Sequence, residues 1–321
     1  MKRYVFLVLS LIAFCGYSNG QARDKDLPVY SHPVLDEHEG WRLGIQLYSF
    51  HKNTFMEALD KAQSLGVSWV EAYPGQVYSS EKPDLRFDHN LAPELRTEVL
   101  KILNQKGLTL VNYGVVTLPN DEIESRKVFD FAKAMGIETI VSEPVEEAWD
   151  MIDLLCQEYQ INVAIHNHPD PSRYWNPDKV LEVSKDRSKY IGACADIGHW
   201  MHSGVDPLEA IRKLKGRIIS FHFGDLNEFD KREAHDVPWG TGAAGTDALL
   251  KELYAQDFEG VFSVEYEYNV EASLPDIEQS IGYFKKVVTE LNTSQWKPLF
   301  TDNLSNATCK PGSWNITDGV L

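Results

Sequence analysis

Basic residues are scarce in this chain. Of 321 residues, 31 are lysine or arginine against 48 aspartate or glutamate, a net charge of −17 at pH 7. Lys2 and Arg3 are the only charges among the first twenty residues, so without that segment the charge becomes −19. Such a surface repels phosphate backbones and anionic lipid, which argues against nucleic acid as a partner. Cysteine is scarce too. Beyond Cys15 only Cys156, Cys194 and Cys309 remain, an odd number without the paired spacing of a thiolate metal site. One disulfide can form and none is needed, so free buried thiols are the default expectation. No GxGxxG follows the first strand-like run, and LYSFHKN (47–53) holds no glycine at all, which argues against an open dinucleotide-binding sheet. Apart from Val5–Phe14, no apolar run approaches the length of a membrane span.

The N-terminal twenty residues, MKRYVFLVLSLIAFCGYSNG, combine a basic end, an apolar stretch and the small residues Ser18 and Gly20. That is the layout of a secretory signal cleaved near Gly20, and the expected location is the periplasm or the exterior. A lipoprotein reading centred on Cys15 competes, although Phe14 fits poorly before a lipidated cysteine. Residues 21–40 read as a linker.

From Trp41 to about 292 one phrase repeats: a helical stretch, a glycine-containing turn, a short apolar run, then polar residues. The strand candidates are 42–50, 67–73, 108–116, 137–144, 161–169, 190–200, 217–225 and 261–267. Amphipathic segments such as TFMEALDKAQSLG and DEIESRKVFDFAKAMG lie between them, several ending in glycine as helices tend to. Strands alternating with helices imply parallel pairing, and eight such units close into a (β/α)8 TIM barrel. After Gln295 the texture turns to Asn, Thr, Ser, Gly and Pro without helical period, so 293–321 reads as a linker or the start of a β-rich module.

Barrel enzymes carry their reactive side chains at the C-terminal ends of strands. Here the fourth run ends in Glu143, the fifth in His166 and His168, the sixth in Asp196 and His199, the seventh in His222 and Asp225, and the eighth in Glu265 and Glu267. Five of the ten histidines fall between 166 and 222, four of them at strand ends, a grouping that scattered surface histidines would not produce. For each alone the plain reading is a hydrogen-bonded strand-end residue; together, with acids from neighbouring strands, they point to a divalent metal. Mixed imidazole and carboxylate ligation suits Mn²⁺, Co²⁺ or Zn²⁺ better than Ca²⁺, with Mg²⁺ still admissible.

ADIGHW (195–200), SFHFGD (220–225), HDVPWGTG (235–242) and SVEYE (263–267), taken in order, resemble the sugar isomerase/epimerase family of xylose isomerase-like barrels, whose superfamily includes endonuclease IV. The resemblance spans roughly 41–292. It implies Asp196, His222 and Glu265 as ligands, with His199 a substrate or second-ligand group and Glu265 also catalytic. Epimerases of this kind place a metal-bound glutamate on the fifth strand. This chain has His166 there, so His166 is expected to ligate in its stead, with His168 at the substrate or behind the ligand, and the paired-glutamate mechanism is put in doubt. Glu143 then either substitutes as ligand or base, or is an exposed acid before Pro144. In the loop that follows the seventh strand, the resemblance implies a further ligand or substrate contact, filled by His235 or Asp236. Asp225 is expected at the substrate, and Tyr48, Trp200 and Trp239 are candidates to stack on a sugar or to pack the core and rim. The tail phrases PLFTDNLSNA and GSWNITDGVL resemble the opening of a 3-keto-disaccharide hydrolase domain.

These implications add up to an exported, metal-dependent isomerase or epimerase acting on an unphosphorylated carbohydrate, by proton abstraction next to a carbonyl. A 3-keto-glycoside lyase of the same fold is the alternative. An endonuclease IV-like phosphodiesterase and a non-catalytic sugar-binding barrel rank behind them.

Overall fold

A computed structural model of the chain describes residue 38 and residues 40–294. The expected signal and Cys15, nearly all of the 21–40 linker, and the tail beyond 294 with Cys309 lie outside the described residues.

Ten strands run in chain order: β1 (Trp41–Gln46), β2 (Trp69–Ala72), β3 (Gln76–Ser79), β4 (Lys82–Phe87), β5 (Thr109–Tyr113), β6 (Thr139–Ser142), β7 (Asn162–His166), β8 (Ile191–Asp196), β9 (Ile218–Phe223) and β10 (Gly260–Val264). Eight of them close into a barrel in the order β1, β10, β9, β8, β7, β6, β5, β2, with every pairing parallel. Each of the eight runs expected to be a strand contributes one. The helices form for local reasons. Thr54 and Glu57 make a reciprocal capping box at the start of Phe55–Ser64, while Asp121 caps Glu122–Met135, which ends on Gly136 in the left-handed conformation.

Two departures from the sequence reading bear on the site. β3 and β4 form an antiparallel hairpin after β2 that the sequence reading missed. The buried Gln76 side chain donates to the carbonyls of Phe50 (3.5 Å) and Asn53 (3.2 Å), tying the hairpin to the segment that follows β1. The run 190–200 is not one strand. It breaks at Asp196, and Ile197–His202 is helical. Asp196 caps this short helix, its Oδ1 accepting from the His199 N–H at 2.7 Å, so the Asp-x-x-His spacing is that of a helix start.

Most of the core lies between the barrel and its helices. There Trp41, Phe221, Phe223, Trp239, Phe262 and Phe284 pack ring against ring, with centroids 4.7 Å apart for Phe223 and Trp239 and 5.2 Å for Phe221 and Phe262. A separate small apolar cluster, Val141, Ala164 and Cys194, has Val115 and Ile219 packed against it. Cys156 and Cys194 are buried free thiols. No helix among the described residues is long and apolar enough to cross a membrane.

Candidate metal centre

Four adjacent strands deliver four donors to one place. β7 ends on His166 and β8 on Asp196, His222 is the last but one residue of β9, and Glu265 follows β10 directly. The pairing of Asp196 with His222, and of His222 with Ser263, sets these strand ends level. Asn167 stitches β7 to β8. Its side-chain NH₂ donates to the Asp196 carbonyl at 3.0 Å, and its side-chain oxygen accepts from the Asp196 N–H at 2.9 Å.

One ligand-type atom from each of His166, Asp196, His222 and Glu265 lies within 4.8 Å of the other three. His166 Nε2 is 3.5 Å from Asp196 Oδ2, and His222 Nδ1 is 4.0 Å from Asp196 Oδ2 and 2.9 Å from Glu265 Oε2. Yet His166 Nε2 and His222 Nδ1 are both buried without a hydrogen-bond partner. Close approach without hydrogen-bond alignment is what atoms aimed at a common centre show. Donors held about 2.0–2.2 Å from one ion stand about 3–4 Å from each other. The set fits a divalent cation: two imidazoles and two carboxylates, with ring nitrogens otherwise unsatisfied.

Behind each imidazole stands a carboxylate. His222 Nε2 lies 2.8 Å from Glu71 Oε1. Glu71, fully buried on β2, accepts at Oε2 from Ser263 Oγ (2.8 Å) and Asn112 Nδ2 (3.2 Å). His166 Nδ1 lies 2.9 Å from Glu143 Oε1, which also accepts from the His168 N–H at 3.3 Å and contacts His168 Nδ1. Glu143, His166 and His168 form a second close group of ligand-type atoms.

The electrostatics demand positive charge. Burial alone would lower the His166 pKa, but the carboxylates of Asp196 and Glu143 beside its two nitrogens carry it to about 10. His222 is likewise raised well above its ordinary value: burial opposes this, and Cys194, Glu265 and Glu71 prevail. Glu143 would rise through burial, yet its bonds to His166 and His168 hold it near 2, so it stays ionised. Around the mouth the acids crowd each other. Burial and then the charges of Glu265 and Asp196 raise Glu267 to about 7, and burial followed by Glu267, Asp196 and Glu265 raises Asp236 to about 8. Burial lowers His199 to about 4 despite Asp196, so its imidazole is neutral.

A cavity of about 520 Å³ opens above the centre, lined by His166, His168, His199, His222, Glu265 and Glu267, with Gln46, Tyr48, Tyr73, Pro74, Gly114 and Val115 forming the rest of its wall. Tyr48 packs edge-on against Tyr73 at 5.0 Å and is 38% exposed, open to a ligand. A smaller recess beside it is lined by Asp196, His199, His202, Asp236, Glu265 and Glu267, among others.

Asp225 and His235, expected at the substrate, line neither cavity, and of the aromatic candidates Trp200 and Trp239 take the core alternative. Trp200 is wholly buried in the hydrophobic core and lines neither cavity: helix geometry past Asp196 turns it inward where a strand would have turned it to the mouth. Trp239 is also core, packed on Phe223. Asp225 is buried and spent on its own loop, accepting from the N–H groups of Gly240 and Gly242 (both 3.0 Å) and Ala244 (2.9 Å). A Cβ at Gly242 would stand 2.3 Å from Asp225 Oδ1, which is why glycine is needed there. His235 stacks on Tyr268 (4.1 Å), and its neighbour Asp236 takes the loop position at the site, accepting from the Glu267 N–H at 2.8 Å. Glu143 sits behind His166, outside the group of four.

Two acids emerge with more weight than the sequence reading gave them, Glu267 having been named only as a strand-end residue and Glu71 not at all. Glu267 lines the cavity, and its raised pKa follows from the cluster of acids that only the fold creates. Glu71 lay within an apolar strand, where an acid flanked by apolar neighbours was itself the signal.

A family model described as the xylose isomerase-like TIM barrel matches residues 59–287. A curated relative, inosose dehydratase of Bacillus cereus, is 26% identical over 157 residues, covering 41% of this chain and 52% of its own length; the chain spans about half the length of the curated relatives it matches. Among solved structures, an uncharacterised protein of Parabacteroides distasonis is 34% identical, with a TM-score of 0.64 over 77% of this chain and 99% of that one. The IOLI protein, solved with a bound zinc atom, shares the fold at 15% identity, with a TM-score of 0.59 over 78% and 99%.

Proposed function

The chain belongs to the xylose isomerase-like TIM-barrel family, and from that premise we propose that it is a divalent-metal-dependent enzyme that removes a proton beside the carbonyl of an unphosphorylated sugar. The observation that carries this reading is the convergence of His166, Asp196, His222 and Glu265, with two ring nitrogens unsatisfied, at the floor of a sugar-sized cavity. These four residues would hold the ion. When bound, it supplies Lewis acidity to a carbonyl oxygen, which makes the neighbouring C–H acidic. The zinc in IOLI and the mixed imidazole and carboxylate set favour zinc, manganese or cobalt over calcium.

The chain's own residues supply the rest. Glu267, held near neutrality beside Glu265, takes or returns a proton at the carbon on its side of the cavity. His199 stays neutral and offers a ring nitrogen to a substrate hydroxyl, and His168 stands on the same wall, stacked 5.3 Å from it. Tyr48 and Tyr73 provide an apolar face for a ring. No lysine or arginine lines the cavity among the described residues, which favours a neutral sugar over a sugar phosphate or a phosphodiester.

One observation favours elimination as the second reading. Both His166 nitrogens are engaged, Nε2 with the four-donor group and Nδ1 with Glu143, so the strand that carries it brings no free base to its side of the substrate. Inverting a carbon needs a proton-transfer group on each face, whereas expulsion of a group from the next carbon needs only one base. The matching inosose dehydratase performs a reaction of that class by its name.

The test is incubation of the metal-loaded protein in D₂O with a free ketohexose, an inosose and a 3-keto-glucoside. Deuterium uptake beside the carbonyl, abolished by EDTA, is the expected result; release of water or aglycone selects elimination. No exchange and no release from any of them, or exchange that EDTA leaves intact, would sink the proposal.

A further inference from the structure

We infer that Glu71 is a positioning residue for the candidate metal centre: from inside the barrel it fixes which nitrogen of His222 faces the ion. This deepens the reading above and rests on it.

Glu71 is a carboxylate with no exposure, on the strand β2 that contributes nothing to the group of four. Its partners come from three other strands. Oε1 stands 2.8 Å from His222 Nε2, while Oε2 accepts from Ser263 Oγ and from Asn112 Nδ2, which are 192 and 41 residues away in sequence. No lysine or arginine contacts it among the described ion pairs, and His222 is its one cationic partner. A buried carboxylate is costly unless its charge and lone pairs are met. Ser263 and Asn112 lock the carboxylate in place, and an acceptor-only group there obliges His222 to carry its proton on Nε2. Nδ1, which lies 2.9 Å from Glu265 Oε2 and is buried without a hydrogen bond, is then the nitrogen that gives up its proton when an ion binds. A ring held by a carboxylate at one nitrogen is both oriented and made a stronger donor at the other.

The same contacts would serve a purely structural brace, so the test must separate the two. Full-length protein is stripped with chelator, and Zn²⁺ affinity is measured by competition with a chromophoric chelator at fixed pH, for wild type, Glu71→Gln and Glu71→Leu. Melting temperatures are recorded without metal. Outer-shell losses of this kind weaken binding about 10- to 100-fold. Glu71→Gln keeps an acceptor for Nε2–H and should fall at the lower end, Glu71→Leu at the upper. In the Zn²⁺-loaded wild type, ¹⁵N NMR of His222 should show the proton on Nε2, and that signal should be lost in Glu71→Leu. If Leu fails to fold, Gln and the His222 signal decide. Zn²⁺ affinities equal to wild type, with only the metal-free melting temperature lowered, would overturn the inference while leaving the functional reading standing. Wild type that binds no Zn²⁺ would overturn both.

Discussion

The two imidazoles of the candidate centre are supported by the same device in opposite surroundings. His222 leans on Glu71, which is sealed inside the barrel with Ser263 and Asn112. His166 leans on Glu143, whose side chain is 19% exposed and which shares an oxygen with His168, half exposed at the cavity wall. A sealed support cannot be replaced by water and serves to hold geometry. An open support is partly reached by water, and His168, which shares its oxygen, lines the cavity beside His199 and can respond to what binds. The centre therefore has a fixed side and a responsive side, with Asp196 between them.

That contrast can be tested in descending order of effect. Asp196 faces both imidazoles, so Asp196→Asn should lower Zn²⁺ affinity by more than the roughly 100-fold ceiling of an outer-shell loss and remove D₂O exchange, with circular dichroism checking that the barrel is intact; affinity within tenfold of wild type would erase the shared role. Glu143→Gln should weaken Zn²⁺ by only about tenfold, because water can stand in on the open side. A Glu143 loss larger than that of Glu71→Leu, in the same competition assay, would reverse the assignment of sides. Asp225→Ala removes the acceptor of three loop N–H groups without touching the four donors, so it should cost about 1–3 kcal/mol of stability and speed hydrogen exchange at 240–244, while the Zn²⁺ affinity holds. The last prediction concerns pH. Asp236 is raised from 3.8 to about 8 in the fold, so the native state keeps a proton that the unfolded chain releases. Its contribution to stability is present at low pH and lost as pH climbs through that window. In EDTA-treated protein, Asp236→Asn should flatten the decline of melting temperature between about pH 4 and 8; an unchanged slope would remove Asp236 from the acidic cluster.

Legibility in the sequence followed the range of the interactions involved. Strand alternation and the glycine-terminated helices are local signals, and they were enough for eight strands and a closed barrel. A barrel displays whatever follows each strand, which narrowed the candidates to strand-end residues, and the resemblance to the family then implied His166, Asp196, His222 and Glu265 among them. Trp200 stayed open between stacking and core packing because the apolar residues on either side of Asp196 read as one strand, and only the cap shows the turn. The β3–β4 hairpin escaped because β4 is largely exposed and carries Lys82, Asp84 and Arg86 in place of an apolar run. For Glu71 the local pattern, an acid among apolar neighbours, signals a buried partner without saying which. Its partners are remote in the chain, and closure of the barrel alone brings them together. Asp225 looked like a site residue for the same reason in reverse: it ends a site-bearing strand, but its loop folds back and consumes it.

The most direct test of the central claim is calorimetric titration of chelator-stripped, full-length protein with Zn²⁺, run in parallel on Asp196→Asn combined with His222→Ala. The account predicts about one tightly bound ion per chain, lost in the double variant. Absence of binding to the wild type, or binding that the double variant retains, would contradict it.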